Sequence, residues 1–149
     1  MFFGFDPPHE TAKIFLRSLL YSTAARGQVI ESMYVDLLRG DAIQTFSFWG
    51  YGDVSNITPG SGLYVGQTGV TVNHHFVLSV HRPAYEFVAG EYTVEVFARL
   101  AGKAGPIHLS SIVLAVDNQH EEALRGHSGV LFELQPDSGD YIGHVNKRR

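Results

Sequence analysis

With 149 residues, 16.4 kDa and 44% hydrophobic side chains, the chain carries enough apolar material for one core of ordinary size and is short for two. A formal charge of −4 leaves no basic face for nucleic acid. The complete lack of cysteine excludes disulfide frameworks, thiolate metal sites and cysteine nucleophiles, and fits a reducing compartment.

The chain opens Met1-Phe2-Phe3-Gly4-Phe5-Asp6, without a positive leader or a long apolar centre, and no apolar run approaches the roughly 20 residues that span a bilayer. These features predict a soluble, cytoplasmic protein with no membrane span. Residues 1–10 read as an N-terminal arm, with Phe2, Phe3 and Phe5 left over from a partner-binding or membrane-proximal segment if the chain is part of something longer. Together with an outward Phe97 they form an expected contact patch.

From Thr11 to Ser22 two readings compete. Ala12, Phe15, Leu16, Leu19 and Leu20 fit a helical stripe after Asp6-Pro7-Pro8, yet the run is also bulky and ends in Ala24-Ala25-Arg26-Gly27, a connection of hairpin length. The strand reading is preferred, paired antiparallel with Gln28 to Leu38, where Val29, Met33, Val35 and Leu37 share a face and Glu31 is the exception. Arg39-Gly40-Asp41 turns into a third strand, Ala42 to Tyr51, rich in Ile, Thr, Phe and Trp.

Gly50 to Gly69 holds six glycines and reads as a long loop with a short edge strand at Leu63 to Val65. Val70 to His81 is a further strand with Val72, Phe76, Leu78 and Val80 on one side. The clearest signal follows, where Tyr92, Val94, Val96, Ala98 and Leu100 alternate with Thr93, Glu95, Phe97 and Arg99, the period of two that a half-buried strand requires. After Ala101 to Pro106, Ile107 to Val116 completes a hairpin. Asp117 or Asn118 caps a short helical segment ended by Gly126, and Pro136-Asp137-Ser138-Gly139 turns a terminal hairpin of Val130 to Leu134 and Tyr141 to Val145. Lys147-Arg148-Arg149 reads as a solvated basic tail, so residues 1–149 form one domain with a short helix plus hairpin over 117–145 and the tail over 146–149.

Six to seven strands at regular spacing point to an all-β, two-layer antiparallel sandwich. Within it Ala89-Gly90-Glu91-Tyr92-Thr93-Val94 resembles the tyrosine corner of immunoglobulin-like domains. That resemblance, running from Lys13 to Val116, implies that Val94 and Val35 stand at the inter-sheet positions and that Trp49 is the core tryptophan.

Chemistry-bearing residues are sparse. Asn73-His74-His75, with His81 and His108, suggests a histidine metal site, but on an extended strand His74 and His75 face opposite ways, and His75 and His81 stand about 20 Å apart. His74 shares the apolar face and is expected to be a buried histidine satisfied by a backbone carbonyl. If a metal binds at all, His75, His81 and His108 are the candidates. Gly60-Ser61-Gly62 lacks a nucleophile-elbow context, and Gly66-Gln67-Thr68-Gly69 lacks the lysine and helix of a phosphate loop. No catalytic pair and no cofactor are expected. Trp49, Tyr51, Asp53 and Tyr64 place rings and a carboxylate beside glycines in the long loop, a pattern on which sugars stack, with an end plug of the sandwich as the plainer alternative. The sequence thus predicts a non-catalytic interaction domain that binds a protein partner, or a second copy of itself, through a sheet face, an edge strand or the 50–69 loop. A histidine-metal protein and a carbohydrate-binding module are the alternatives.

Overall fold

The computed structural model describes residues 1–6, 11–53, 56–59, 62–78 and 84–146. In chain order its elements are β1 (Phe2–Asp6), β2 (Thr11–Leu20), β3 (Gln28–Arg39), β4 (Ala42–Asp53), β5 (Asn56–Pro59), β6 (Leu63–Val65), β7 (Val70–Val77), β8 (Gly90–Leu100), β9 (Ile107–Val116), α1 (Asn118–Arg125), β10 (Gly129–Leu134) and β11 (Tyr141–Asn146). All pairings are antiparallel and form one continuous sheet in the order β11-β10-β1-β2-β7-β4-β3-β8-β9, with β5 added to β4 and β6 to β3. The ends of that path, β9 and β11, curl round to meet each other, so the sheet is a nearly closed barrel. The stacked pair of sheets expected from the sequence gives way to one sheet rolled on itself. Alternation along a strand says which side chains turn inward, and an inward face reads the same in a sandwich as in a barrel.

The period-two stretch behaves as its pattern dictates. Tyr92, Val94, Val96, Ala98 and Leu100 are buried in the barrel while Glu91 and Arg99 are exposed, and β8 forms a hairpin with β9. In β3 a bulge at Glu31, between the pairs Ile30↔Leu100 and Ser32↔Arg99, explains the one misfit in its pattern. The extra residue switches parity, so Ile30 joins Met33, Val35 and Leu37 inside and Val29 lies outside. A second bulge, at Trp49, lies between the β4–β7 pairs Phe48↔Phe76 and Gly50↔His75.

Thr11–Leu20 is a strand, as preferred, but β2 does not form a hairpin with β3. Its neighbours are β1 and β7, and the chain crosses two strands of the barrel before β3 begins. Of the expected N-terminal arm over 1–10, Phe2–Asp6 is β1, hydrogen-bonded between β10 and β2, and residues 7–10 lie outside the described residues. Phe3 is fully buried, so the contact patch of Phe2, Phe3, Phe5 and Phe97 does not form, and Phe97 instead stacks on Tyr34 outside at 5.0 Å.

The end of the barrel that carries the β3–β4 turn and α1 is filled with rings. Phe3 packs on Phe87 at 4.9 Å, on Phe132 at 5.1 Å and on Tyr92 at 5.9 Å, and Tyr85 stands edge-on to Phe87 at 5.0 Å. The hydroxyl of Tyr92 donates to Val88 O at 2.6 Å, the backward bond of a tyrosine corner, and burial beside Tyr85 pushes its ionisation well above the ordinary phenol range. α1 begins at Asp117, whose carboxylate accepts from His120 N at 2.8 Å while Asp117 N donates to His120 Nδ1 at 3.2 Å. With Nδ1 accepting, Nε2 carries the ring proton and donates to Gly143 O of β11 at 3.1 Å. Glu121 accepts from Ala89 N, at the entry to β8, at 2.6 Å, and Leu124 is buried. The helix therefore ties the two sides of the barrel seam together at this end.

Candidate functional site

At the opposite end, which carries the β2–β3, β6–β7 and β8–β9 loops, the inner wall changes character. β7 runs up from Phe76 through His74 to Val72 and Val70, and β2 from Leu16 through Ser18 to Leu20, in the register Leu16↔His74 and Ser18↔Val72. Phe76 and His74 are fully buried, whereas Val72, Val70, Ser18 and Leu20 are half-buried, so the wall opens above the histidine.

His74 faces inward and His75 outward, as strand geometry requires, and both are fully buried. The imidazole of His74 stacks on Phe76 at 5.9 Å and meets the edges of Tyr51 at 5.3 Å and Phe48 at 6.0 Å. Its Nδ1 is 3.0 Å from Ser18 Oγ, and its Nε2 has no hydrogen-bond partner among the described residues. Burial, reinforced by the neighbouring His75, lowers its pKa from 6.5 to about 4, with the Val72 and Leu16 carbonyls pulling weakly the other way. The ring is neutral at pH 7. Beside the Val72 and Leu16 backbone the ring thus also meets a serine hydroxyl, reachable only because β2 lies beside β7. On the outer face His75 packs edge-on to Phe15 at 5.0 Å, and its Nε2 is 2.5 Å from Gly52 O.

The four residues chosen from the 49–64 stretch do not share a surface. Trp49 is the bulged residue of β4 and is 46% exposed outside, so it is not a core tryptophan. Tyr51, two positions on, points inward onto His74, and burial raises its pKa. Asp53 is exposed at the end of β4, with its Oδ1 3.4 Å from Asn73 Nδ2. Tyr64 lies on β6, 67% exposed. Gly50 shows how tightly this corner is built, since a Cβ there would stand 2.8 Å from Thr58 O of β5.

The two metal candidates that lie within the described residues are also apart. His81 lies outside the described residues. His75 on β7 and His108 on β9 are separated by four strand spacings, about 19 Å round the wall. Among the described residues no three histidine or carboxylate side chains gather to hold a metal ion. His108 instead pairs with Glu95 across the β8–β9 hairpin, and Ser111 Oγ donates to the other carboxylate oxygen at 2.9 Å. Those two contacts, His108 first, hold the Glu95 carboxyl below its usual range. Sequence reasoning missed both Ser18 and this Glu95 cluster, because each depends on a cross-strand register that no local pattern encodes.

A second region with functional character is the seam. Among the described residues β9 and β11 meet without a hydrogen-bonded ladder, and exposed apolar side chains flank the join: Ile107, Leu109 and Val113 on β9, Ile142 and Val145 on β11, and Leu134 on β10. No helix among the described residues is long and apolar enough to cross a membrane. Comparison of the chain with protein-family models, with curated proteins and with solved structures finds no match.

Proposed function

We propose that this chain is a non-catalytic interaction domain that binds a protein partner, or a second copy of itself, by adding a strand at the seam between β9 and β11. The observation that carries the reading is the pair of sheet edges with no ladder between them among the described residues, flanked by exposed Ile107, Leu109, Val113, Ile142 and Val145. Unpaired backbone groups on a sheet edge supply the affinity of strand addition, and flanking apolar side chains supply its specificity. We further propose an immunoglobulin-like kinship for the fold, supported by the Tyr92 to Val88 corner bond.

A photo-crosslinking residue at Leu109 or Ile142, with Glu122 on the exposed side of α1 as control, tests the seam in the native host. The reading expects one protein, or the chain itself, linked from both seam positions and not from the control. Equal labelling from all three positions, or none, defeats it. Sedimentation over a range of concentrations then separates self-association from a foreign partner.

A further inference from the structure

Resting on the seam reading above, we infer that the strand added there is β9 of a second copy of this chain, laid antiparallel along β9 about a two-fold axis at Ser111. The direction follows from the topology. Nine strands on the path from β11 to β9 are joined by eight antiparallel pairings, and an even number of reversals leaves β9 and β11 running the same way. A direct ladder between them would be parallel, the less stable kind of pairing. A two-fold axis across the sheet sets identical strands antiparallel, so a second copy brings the favoured direction by symmetry alone.

The edge is reachable where the second copy would lie. Ile107 to Ser111 are exposed one after another. Ile107 and Ser110 pair with Ala98 and Val96, which are buried in the interior, so along this half of β9 even the inward-turned residues are open to solvent. Edges that have to stay single carry charges or proline, and none of the ten residues of β9 is Asp, Glu, Lys, Arg or Pro. Two copies of β9 therefore meet without a like-charge pair. The register follows from the bulge at Leu109, the extra residue between the pairs Val96↔Ser110 and Phe97↔His108. With the axis at Ser111, Ser110 of one copy meets Ile112 of the other, both turned inward, and Leu109 meets Val113, both exposed. Beyond the bulge the two faces fall out of step. An axis at Ile112 would draw in Leu114, which is buried.

The chain has no cysteine, so an introduced thiol reports a single position. Directly opposed residues stand about 4.5–5.5 Å apart at Cβ, within disulfide reach, whereas four residues of strand span about 14 Å. Under mild oxidation of the whole chain Ser111→Cys should link to itself. A mixture of Leu109→Cys with Val113→Cys should give the mixed dimer in preference to either self-linked one. Sedimentation should show a concentration-dependent dimer of the unaltered chain, and Val113→Lys, at an exposed position, should weaken it roughly tenfold without changing the circular dichroism of the monomer. If that variant does not fold, the oxidation result decides alone. A chain that stays monomeric at every concentration, self-linked Leu109→Cys and Val113→Cys, or a dimer indifferent to Val113→Lys overturns the inference. A foreign protein captured from Leu109 and Ile142 while the chain stays monomeric overturns it and leaves the seam reading standing, whereas a monomer with no capture defeats both.

Discussion

The two ends of this barrel are built from the same strands and solve different problems. At the helical end Phe3, Phe87, Tyr92 and Phe132 interlock, the buried hydroxyl of Tyr92 has its carbonyl, and α1 straps the seam. At the other end β7 contributes an imidazole whose Nε2 has no hydrogen-bond partner among the described residues, and the wall above it opens. An apolar plug whose buried side-chain polar atoms, among the described residues, all have partners is a foundation. A polar atom set deep in an apolar wall costs stability.

Perturbing each end in turn sharpens the contrast. The largest effect belongs to the plug: Phe3→Ala removes the ring that three others touch and should cost about 3–5 kcal/mol in urea unfolding. A loss under about 1 kcal/mol would show that the cluster is not the foundation described.

Next comes acid. His74 has a folded pKa of about 4, below its unfolded value of 6.5, so above pH 6.5 it contributes no pH dependence. As pH falls from 6.5 to 4 the unfolded chain takes up a proton that the folded chain refuses, and stability drops by on the order of 3 kcal/mol before levelling off. His74→Phe, which places a ring among rings, should lose one proton's worth of that slope while Phe3→Ala keeps it. An unchanged slope in the histidine variant would remove the electrostatic half of the comparison.

Smaller effects follow at the margins. Gly50→Ala drives a Cβ toward the Thr58 carbonyl and should cost about 1–3 kcal/mol, since backbone rather than a flexible side chain has to yield. Removing the helix cap with Asp117→Ala should cost about 1 kcal/mol and speed amide exchange in α1 and β11, because the cap orients His120 toward Gly143. Amide exchange that quickened in α1 alone would detach the helix from the seam.

Much of the local structure was legible in the residues themselves. Tyr92 to Leu100 announced its inward face, Arg39-Gly40-Asp41 its turn, Pro136 to Gly139 its hairpin, and Asp117 with Gly126 the limits of a short helix. The candidate site was half visible, since the chain showed that His74 turns toward the apolar side and His75 away from it. Trp49 and Tyr51 misled as a pair, because one bulged residue sends the first outward and leaves the second facing in.

What the chain determined by itself was the alternation of its strands and the places where they stop, since a period of two, a glycine turn and a cap act over a few residues. Only the tertiary structure decided that β2 leaves β3 for β1 and β7, that β1 is a strand between β10 and β2, and that Ser18 reaches His74. Pairing is a choice among distant edges that offer the same hydrogen bonds, and it is settled by which inward faces fill one another once the sheet has closed.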